Sequence, residues 1–322
     1  MRVLYFSRDY TPHDHRFLAA MAERGIHAYH LRLERRGHPQ EDRMLPPGVI
    51  PVHWEGGQEP YDHRNHRDLL ADLRRVIKKV KPDLIHAGPL QTAAWLAAQT
   101  RFHPLVTMSW GSDLLVDAGS SPQMRRLTDF TLQNTDVLIG DCQAVRDKAV
   151  ELGFPADRIV TFPWGVDLEE FSPSDQESEL RARRGWQDDF VVLHLRSWEP
   201  VYGVDVFAKA FLQAARQRPQ LRLFLLANGS LAPQIHKILM PVVDRVQFAG
   251  QVAYQKLPDY YHAADLYVSA SHSDGTSVSL IEALASGLPA LVSDIPGNRE
   301  WIASTGAGWL FPDGDVDALT PV

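Results

Sequence analysis

The sequence contains a single cysteine, Cys142, and no excess of positive charge. One cysteine can form neither a disulfide framework within the chain nor a cysteine zinc site. The formal net charge of -7 argues against a nucleic-acid partner, which requires a basic face. No apolar run reaches the length of a membrane span, and the first residues, MRVLYFSRDY, lack a signal-peptide pattern. We therefore expect a cytoplasmic protein with no nucleic-acid partner.

Two common nucleotide-binding motifs are also missing. No G-x-G-x-x-G follows a predicted strand: the first strand leads into SRDYTPHDHRF, and the stretch LANGSLAPQ offers Gly229 alone. This absence argues against a nicotinamide or flavin enzyme. G-x-x-x-x-G-K-[ST] does not occur either, which excludes the P-loop class.

What the sequence does contain is an alternation of short apolar runs and helical patterns. This rhythm predicts an α/β protein with parallel sheets covered by helices. The predicted strands are residues 3–6, 83–88, 105–110 and 136–141 in the first half, and 190–195, 222–227, 246–250, 266–271 and 289–294 in the second. Helical patterns at 17–24, 92–99 and 144–152 lie between or after strands.

The length of 322 residues predicts two domains, because a single core rarely grows that large. The strand–helix rhythm breaks at a polar, charged segment that begins at Phe171. We therefore predict a first domain at 1–171, a linker at 172–189 and a second domain at 190–322. Two such domains would form a cleft, with the ligand outside the carboxyl ends of the strands.

The stretch SHSDGTSVSLIEALASGLPALVSD, residues 271–294, suits an anion. A strand leads into a glycine-containing loop, and a helix begins near residues 277–279, so that backbone N–H groups can face a phosphate. Glu282 has two interpretations here. With Ser279 it matches a capping box, and alternatively its carboxylate can accept both hydroxyls of a ribose. Spacing alone does not decide between them.

The same stretch resembles the nucleotide-sugar motif of glycosyltransferase family 4. The residues that carry the resemblance are Asp274, Glu282, Gly287-Leu288-Pro289, Ser293-Asp294, Gly297 and Glu300. Further matches are FPWGVDLEEFSP (162–173), VQFAGQVAYQKLPDYYHAADLYVSAS (246–271), HAGPLQTA (86–93) and WGSD (110–113), in the family's order. The resemblance implies the GT-B fold, with two Rossmann-like domains. It also implies a retaining, metal-independent transfer of a sugar from a UDP- or GDP-sugar to an acceptor hydroxyl.

The resemblance implies donor-side roles for matching positions. Arg196 would bind the diphosphate, Asp274 the transferred sugar and Glu282 the ribose hydroxyls, and these three would be the catalytic residues. The N–H groups of Gly275, Thr276 and Ser277 would lie near the sugar and diphosphate, and Gly250, Gln251 and Val252 would line the base pocket. Two positions depart from the family: Tyr202 stands where a lysine is usual, and Asp274 where a glutamate is usual. Lys256 and Arg299 are candidates for the missing cation, although both are expected to be solvated.

The acceptor side departs further from the family. Instead of a glycine pair, DYTPHDHRF follows the first strand and puts His13, His15 and Arg16 at the cleft edge. His86, Trp110 and Asp113 lie in the two matching loops, with Trp110 where many relatives have a histidine. The expected acceptor is a sugar or a lipid-linked molecule, as in polysaccharide or glycolipid biosynthesis.

Metal ligands are sparse. His13 with His15 and His63 with His66 are close in sequence, but neither pair has a third ligand nearby. Asp313, Asp315 and Asp317 are predicted to be turn residues. We expect no metal and no cofactor, with the nucleotide sugar as a substrate.

The segment 67–81 has an apolar stripe and more Arg and Lys than Asp. It predicts a surface helix packed on the sheet, and the alternative is contact with the inner face of a membrane.

The family continues beyond FPDGDVDAL (311–319), so the resemblance implies an incomplete second domain without its last helices, and we expect weakened domain closure or self-association. Two other functions stay open: a transferase-like binding protein that has lost catalysis, and another GT-B enzyme such as a sugar epimerase or phosphorylase.

Overall fold

The computed structural model describes residues 1–34, 41–58, 61–62 and 65–320. The chain folds into two compact units, Met1–Pro163 and Trp164–Val322. One sheet of seven strands forms the first unit and one of six forms the second, and neighbouring strands run parallel in both. The predicted α/β class and the two parallel sheets are confirmed.

In the sheet of the first unit, the strand order reverses its direction next to the first strand. Its strands are β1 (Arg2–Ser7), β2 (His27–Arg32), β3 (Ile50–Pro51), β4 (Leu84–Gly88), β5 (Leu105–Met108), β6 (Val137–Gly140) and β7 (Ile159–Thr161). Their order is β3-β2-β1-β4-β5-β6-β7. The chain thus winds outwards on both sides of the β1–β4 pair, and the carboxyl ends at such a point are where parallel sheets bind ligands.

The sheet of the second unit has the same plan. Its strands are β8 (Phe190–His194), β9 (Leu221–Leu226), β10 (Val246–Gly250), β11 (Leu266–Ser269), β12 (Ala290–Ser293) and β13 (Gly308–Phe311). Their order is β10-β9-β8-β11-β12-β13, so that the order changes direction between β8 and β11.

Helices connect the strands in both units. In the first unit they are α1 (Pro12–Glu23), α2 (His66–Val80), α3 (Ala93–Gln99), α4 (Ala118–Ser120), α5 (Pro122–Gln133) and α6 (Gln143–Glu151). In the second they are α7 (Glu179–Arg184), α8 (Val204–Gln217), α9 (Ala232–Leu239), α10 (Leu257–His262), α11 (Val278–Ala285), α12 (Pro296–Thr305) and α13 (Val316–Leu319). None of the helices in the described ranges is long and apolar enough to cross a membrane.

The nine predicted strands all exist, but the structure adds β2, β3, β7 and β13. Three of these four added strands have two to four residues, and β3, β7 and β13 lie at sheet edges. Edge strands are buried on fewer sides, so that they lack the continuous apolar run that marks a central strand. β2 was not predicted because its sequence, HAYHLR, contains two histidines that interrupt the apolar run.

Helix α1 begins five residues before the predicted start at residue 17, so that His13, His15 and Arg16 lie on the helix. Thr11 caps the helix: its side chain accepts from the N–H of Asp14, whose carboxylate accepts in return from the N–H of Thr11 at 2.7 Å. A capping box followed by proline at the first helical position is a strong start signal, which the prediction overlooked.

The division between the units precedes the predicted domain boundary at residue 171. Phe171 is fully buried in the second unit, where its ring packs edge-on against Tyr254 and Tyr261. In the predicted linker 172–189, Trp186 is buried in the same cluster, and Arg181 pairs with Asp265 at 2.9 Å. These contacts join residues 164–189 to the second unit.

Helix α2 packs on the core of the first unit, as the surface-helix interpretation predicts. Leu73, Val76 and Val80 are buried there, and the cationic side chains of the helix face outwards. The apolar stripe is therefore occupied by the protein's own core, so that contact with a membrane would depend on the exposed charges alone.

Candidate functional site

The predicted donor residues of the second unit meet where the strand order changes direction. Arg196 follows the end of β8, and Asp274 and Ser277 lie in the loop between β11 and α11. The two strands pair in parallel with Tyr267 opposite Leu193, so their carboxyl ends bring these loops side by side. Topology alone therefore places a cation and an anion from distant parts of the sequence at one point.

Arg196 and Asp274 form an ion pair in which an arginine Nη lies 2.6 Å from a carboxylate oxygen. Their side chains are only 14% and 16% exposed. The other Nη of Arg196 donates to the hydroxyl of Ser277 at 3.1 Å. The Nε–H of Arg196 is buried and has no hydrogen-bond partner among the described residues. One donor of the guanidinium thus remains available to a ligand.

Burial and the ion pair act in opposite directions on the charge of each partner. Burial acts against the charged guanidinium, but Asp274 and nearby tyrosine hydroxyls outweigh it and raise the pKa of Arg196 above its usual range. Burial raises the pKa of Asp274 above its ordinary value, while Arg196, the N–H of Gly275 and the hydroxyl of Ser277 act in the opposite direction. Arg196 is a permanent cation here, and Asp274 is the group whose charge depends on its surroundings.

Tyr202, which stands where the family usually has a lysine, packs directly on Arg196. The guanidinium carbon lies 4.2 Å from the centroid of the Tyr202 ring, which is a cation–π contact. Gly203 follows with φ +57°, and a Cβ there would lie 2.0 Å from the carbonyl oxygen of Ala270. The glycine therefore lets this turn press against the end of β11 and hold the tyrosine ring on the arginine.

The loop before α11 is held by another close backbone approach. A Cβ on Gly297 would lie 2.2 Å from the carbonyl oxygen of Gly275, so only glycine fits at this motif position. Thr276 and Ser277 are buried in the loop, and α11 begins at Val278, within the predicted range. The first N–H groups of a helix lack intrahelical partners, so the loop delivers such donors next to Arg196.

Glu282 does not act as a helix cap, which corrects the capping-box interpretation. The helix begins after Ser277, which puts Glu282 at the fifth helical position rather than the third. Its carboxylate is 3% exposed and accepts a hydrogen bond from the hydroxyl of Tyr261 at 2.9 Å. A buried carboxylate that is held by a tyrosine needs a different explanation from helix capping.

A chain of hydroxyls links Arg196 to the interior. The hydroxyl of Ser279 lies 3.1 Å from that of Ser277 and 2.8 Å from that of the buried Tyr267. Neither Tyr261 nor Tyr267 was predicted from the sequence to lie in the site. A tyrosine in an apolar strand or helix pattern is indistinguishable from a core residue, and only the fold reveals where its hydroxyl points.

The predicted base-pocket residues lie at the end of β10. Gly250 has φ +67°, and its carbonyl accepts from the N–H of Ala227 at 2.7 Å. Gln251 and Val252 line a cavity of about 550 Å³, together with residues of α7, α10 and the segment before α7. The wall of this cavity contains both acidic side chains, such as Glu179, and basic ones, such as Arg183.

The first unit has an aromatic and histidine cluster at the corresponding position, between β1 and β4. Tyr5 and His86 are opposite each other in the strand register, and their ring centroids are 5.0 Å apart. His13 on α1 lies edge-on to Trp110 with 5.2 Å between centroids. Burial lowers the pKa of His86 to about 4, so its ring is neutral at pH 7. The buried Nε2 of His86 and Nε1 of Trp110 have no hydrogen-bond partner in the described part of the chain.

The carboxylate of Asp113 is occupied by the protein itself. It accepts from the hydroxyl of Ser109 at 2.6 Å and from the N–H groups of Leu90, Trp110 and Leu114 at 2.9–3.0 Å. Burial raises the pKa of Asp113 to about 6, although each of these hydrogen bonds lowers it. This geometry assigns Asp113 the task of holding the Trp110 loop against the loop after β4.

His15 and Arg16, the other predicted acceptor-side residues, lie on α1. The ring of His15 is 6.2 Å from that of Tyr10, and burial lowers the pKa of this histidine below its usual value. Arg16 is partly buried on the same helix. The structure therefore pairs His13 with Trp110, packs His86 against Tyr5 and puts His15 beside Tyr10.

No group of three or more potential metal ligands occurs among the described residues, and His63 lies outside them. Asp313 lies in a turn, and Asp315 caps α13 through the N–H of Ala318. The two candidate extra cations have other partners: Arg299 pairs with Asp294 at 2.5 Å, and Lys256 lies 3.9 Å from Asp259.

Two family models match the chain. The model described as "Glycosyltransferase Family 4" matches residues 13–170, and the model described as "Glycosyl transferases group 1" matches residues 189–321. Together they cover both units of the structure.

Curated relatives carry related names. A D-inositol 3-phosphate glycosyltransferase of Streptomyces avermitilis is 28% identical over 86% of this chain and 66% of its own length. The mannosylfructose-phosphate synthase of Agrobacterium fabrum is 32% identical over 56% of this chain and 42% of its own length. The chain spans about two thirds of the first of these relatives.

Solved structures share the fold. Anabaena Alr3699/HepE in complex with UDP and glucose superposes with a TM-score of 0.79 at 20% identity, covering 99% of this chain and 88% of that one. The sucrose-phosphate synthase of Thermosynechococcus elongatus gives a TM-score of 0.79 at 18% identity, with the same coverage. The predicted GT-B fold, with two Rossmann-like domains, is confirmed.

Proposed function

Because the chain belongs to glycosyltransferase family 4, we propose that it transfers a sugar from a UDP- or GDP-sugar to an acceptor hydroxyl, with retention of configuration and without a metal. The observation that carries the proposal is the buried Arg196, held between Asp274 and Ser277 at the start of α11. A guanidinium with one unpartnered N–H, next to the first turn of a helix, suits a diphosphate better than any neutral ligand.

Donor binding in this proposal exchanges one anion for another. The diphosphate approaches Arg196 and the first N–H groups of α11, and Asp274 is released from the guanidinium to face the hydroxyls of the transferred sugar. Glu282 accepts the ribose hydroxyls, and the base lies near Gly250, Gln251 and Val252. The Arg196–Asp274 pair supports this assignment, because it keeps a buried cation neutralised until the ligand arrives.

The chemical step breaks the bond between the sugar's anomeric carbon and the diphosphate oxygen. The acceptor oxygen forms the new bond to that carbon from the same face, and its proton passes to the departing diphosphate. Negative charge grows on the leaving oxygen, and Arg196 and the α11 amides stabilise it there. Such prearranged donors typically contribute about 10²–10³-fold to the rate.

Acceptor binding is assigned to the first unit. The unpartnered Nε2 of His86 and Nε1 of Trp110, with His13 beside the Trp110 ring, offer hydrogen bonds to the hydroxyls of a sugar. His15 and Arg16 extend the same surface along α1. Peripheral membrane contact of the charged face of α2 would bring a lipid-linked acceptor within reach, and binding to anionic vesicles at low salt tests that part.

A second candidate function is a nucleotide-binding protein without transfer activity. The observation in its favour is that Asp274 neutralises Arg196 and Tyr202 covers it, so that the site as it stands carries no excess positive charge. The two candidates differ in whether a bound nucleotide sugar is ever cleaved.

A panel of nucleotide sugars, incubated with the protein and read by mass spectrometry, tests the proposal. We expect release of UDP or GDP from at least one donor, at an unchanged rate with a chelator present. Binding of a donor without any cleavage, with simple sugars supplied as acceptors, would favour the binding protein. Metal-dependent turnover would contradict the metal-free assignment.

A further inference from the structure

Glu282 is held by a neighbour to which the sequence assigns no role. Tyr261 is 1% exposed on α10, and its hydroxyl donates to a carboxylate oxygen of Glu282 at 2.9 Å. The same hydroxyl lies 3.1 Å from the carbonyl oxygen of Ser279, about one turn earlier on α11. Tyr261 thereby connects the carboxylate to the beginning of its own helix.

The direction of this hydrogen bond is fixed by charge. Burial and the neighbouring Glu282 raise the pKa of Tyr261 well above its usual value, so the phenol keeps its proton and remains the donor. The ring itself is held by packing, edge-on against Phe171 with 5.6 Å between centroids. A donor that cannot move fixes one oxygen of the carboxylate, and with it the plane in which the carboxylate accepts further hydrogen bonds.

The contact is separate from the hydroxyl chain around Arg196. That chain runs from Ser277 through Ser279 to Tyr267, whereas Tyr261 reaches the Ser279 carbonyl and the Glu282 carboxylate. A change at Tyr261 can therefore alter the orientation of Glu282 without removing a hydrogen bond of Arg196, although the electrostatic effect of the Tyr261 hydroxyl on the guanidinium is lost as well.

We propose that Tyr261 is a positioning residue that orients the Glu282 carboxylate toward the ribose hydroxyls of the donor, and so sets the preference for ribonucleotides over 2′-deoxyribonucleotides. The inference rests on the proposed function, because it assumes that Glu282 receives the ribose. Prearranged groups bind more tightly because no rotamer has to be fixed during binding. Without Tyr261, the carboxylate would lose a hydrogen bond that orients it before the ligand arrives.

The test compares the dissociation constants of UDP, GDP and their 2′-deoxy forms for the wild type, Tyr261→Phe and Tyr29→Phe. Tyr29 is the control, since it lies on β2 of the first unit and packs on the core of that unit. We expect Tyr261→Phe to weaken the ribonucleotide by roughly tenfold, as for loss of one hydrogen bond to a charged group. The 2′-deoxy form should be weakened less, because only its 3′-hydroxyl still meets Glu282, and Tyr29→Phe should leave both affinities unchanged.

Three outcomes separate the two proposals. Equal weakening of both nucleotide forms would show a purely structural role for Tyr261 and overturn the inference. An unchanged ribonucleotide preference in Tyr261→Phe would overturn it too, while leaving nucleotide binding intact. Failure of the wild type to bind any nucleotide would remove the proposed function and the inference with it.

A second variant covers the case in which Tyr261→Phe does not fold. Glu282→Asp withdraws the carboxylate from the Tyr261 hydroxyl by one methylene while the tyrosine stays in place. The ribonucleotide preference should fall in this variant as well. If the variant discriminates ribose from deoxyribose as well as the wild type, the alignment of Glu282 on Tyr261 is irrelevant to recognition and the inference is wrong.

Discussion

The strand order reverses its direction at equivalent points of the two sheets, but the side chains at these two points differ in charge. Between β8 and β11 lies a buried charged pair, Arg196 and Asp274, whose arginine also donates to the hydroxyls of Ser277 and Ser279 at the start of α11. Between β1 and β4 lie neutral rings, Tyr5 and His86. The nearby carboxylate of Asp113 is saturated by the protein's own donors.

This difference distinguishes buried charged groups that can bind a ligand from buried charged groups that stabilise the fold. A buried carboxylate with four internal donors has no capacity left for a substrate, whereas a buried guanidinium with an unpartnered N–H does. The second unit thus has the features of an anion site, and the first those of a neutral, hydrogen-bonding surface. Substitutions at these charged groups should therefore differ in their effects on ligand binding and on stability.

Arg196→Ala should have the largest effect. We expect sugar transfer to fall by roughly 10²–10³-fold, because the leaving diphosphate loses its main cation. The double variant Arg196→Ala with Asp274→Asn, which leaves no unpaired buried charge, should be equally inactive. Arg222→Ala is the control, since that arginine also forms a partly buried ion pair, with Asp189 at 3.0 Å, but at the amino end of its strand. Activity retained in the double variant would contradict the role of Arg196.

Glu282→Gln should come next. Replacing the carboxylate by an amide keeps the shape but removes a charged acceptor, which we expect to weaken the donor by roughly ten- to a hundredfold. Isothermal titration with the preferred nucleotide measures this change. A melting temperature close to that of the wild type shows that the fold persists, and unchanged affinity would place the ribose elsewhere.

Asp113→Ala should act on stability rather than on chemistry. The change leaves buried N–H groups of the first unit without an acceptor, and we expect the free energy of unfolding to fall by about 3 kcal/mol. Urea denaturation measures this loss. Asp117→Ala is the control in the same segment, because Asp117 makes no side-chain hydrogen bond to the helix that follows it. Loss of transfer at full stability would instead make Asp113 an acceptor ligand.

Asp274→Asn should have opposite effects on binding and on transfer. Neutralising Asp274 removes the anion that competes with a diphosphate for Arg196, so nucleoside diphosphate affinity should rise by roughly tenfold. Transfer should fall, since the contact with the sugar is lost. Titration with UDP or GDP and a rate measurement on the same sample distinguish the two effects, and weaker nucleotide binding would mean that Asp274 does not compete with the diphosphate.

The smallest expected effect is on the pH dependence of the first unit. Burial raises the pKa of Asp14 to about 7, although hydrogen bonds from Thr11 and Tyr5 lower it. The folded state then binds more protons than the unfolded state between about pH 4 and 7, so this group's contribution to stability falls as the pH rises through that range. The buried histidines His30 and His86, whose pKa values are lowered to about 4, act in the opposite direction.

Asp14→Asn isolates the carboxylate in that balance. In this variant, the free energy of unfolding should rise more steeply, or fall less steeply, between pH 4 and 7 than in the wild type. Urea denaturation at several pH values measures the slope. Parallel curves for the two proteins would show that Asp14 does not titrate in this range.

The elements that could be predicted from the sequence are those with a regular hydrophobic pattern. Central strands such as β1 and β8 are continuous apolar runs, so both sheets and their parallel arrangement were predictable. The start of α11 was predictable because Gly275 and Ser277 precede an apolar helix pattern. The short edge strands were not, since two to four residues carry no measurable period.

The site was predictable only in its residues and not in its contacts. Motif spacing identified Arg196, Asp274 and Glu282, but nothing in the sequence places an arginine after β8 against a loop almost eighty residues later. The roles of Tyr261 and Asp113 depend on where a hydroxyl or a carboxylate points once the chain has folded. Such contacts between distant residues have no local signal.

Calorimetric titration of UDP and GDP into the wild type and Arg196→Ala tests the central claim most directly. We expect one of the two nucleotides to bind the wild type, with an affinity that falls by roughly ten- to a hundredfold in the variant, as for loss of a charge-assisted contact. Equal affinity for the two proteins, or no binding of either nucleotide to the wild type, would contradict it.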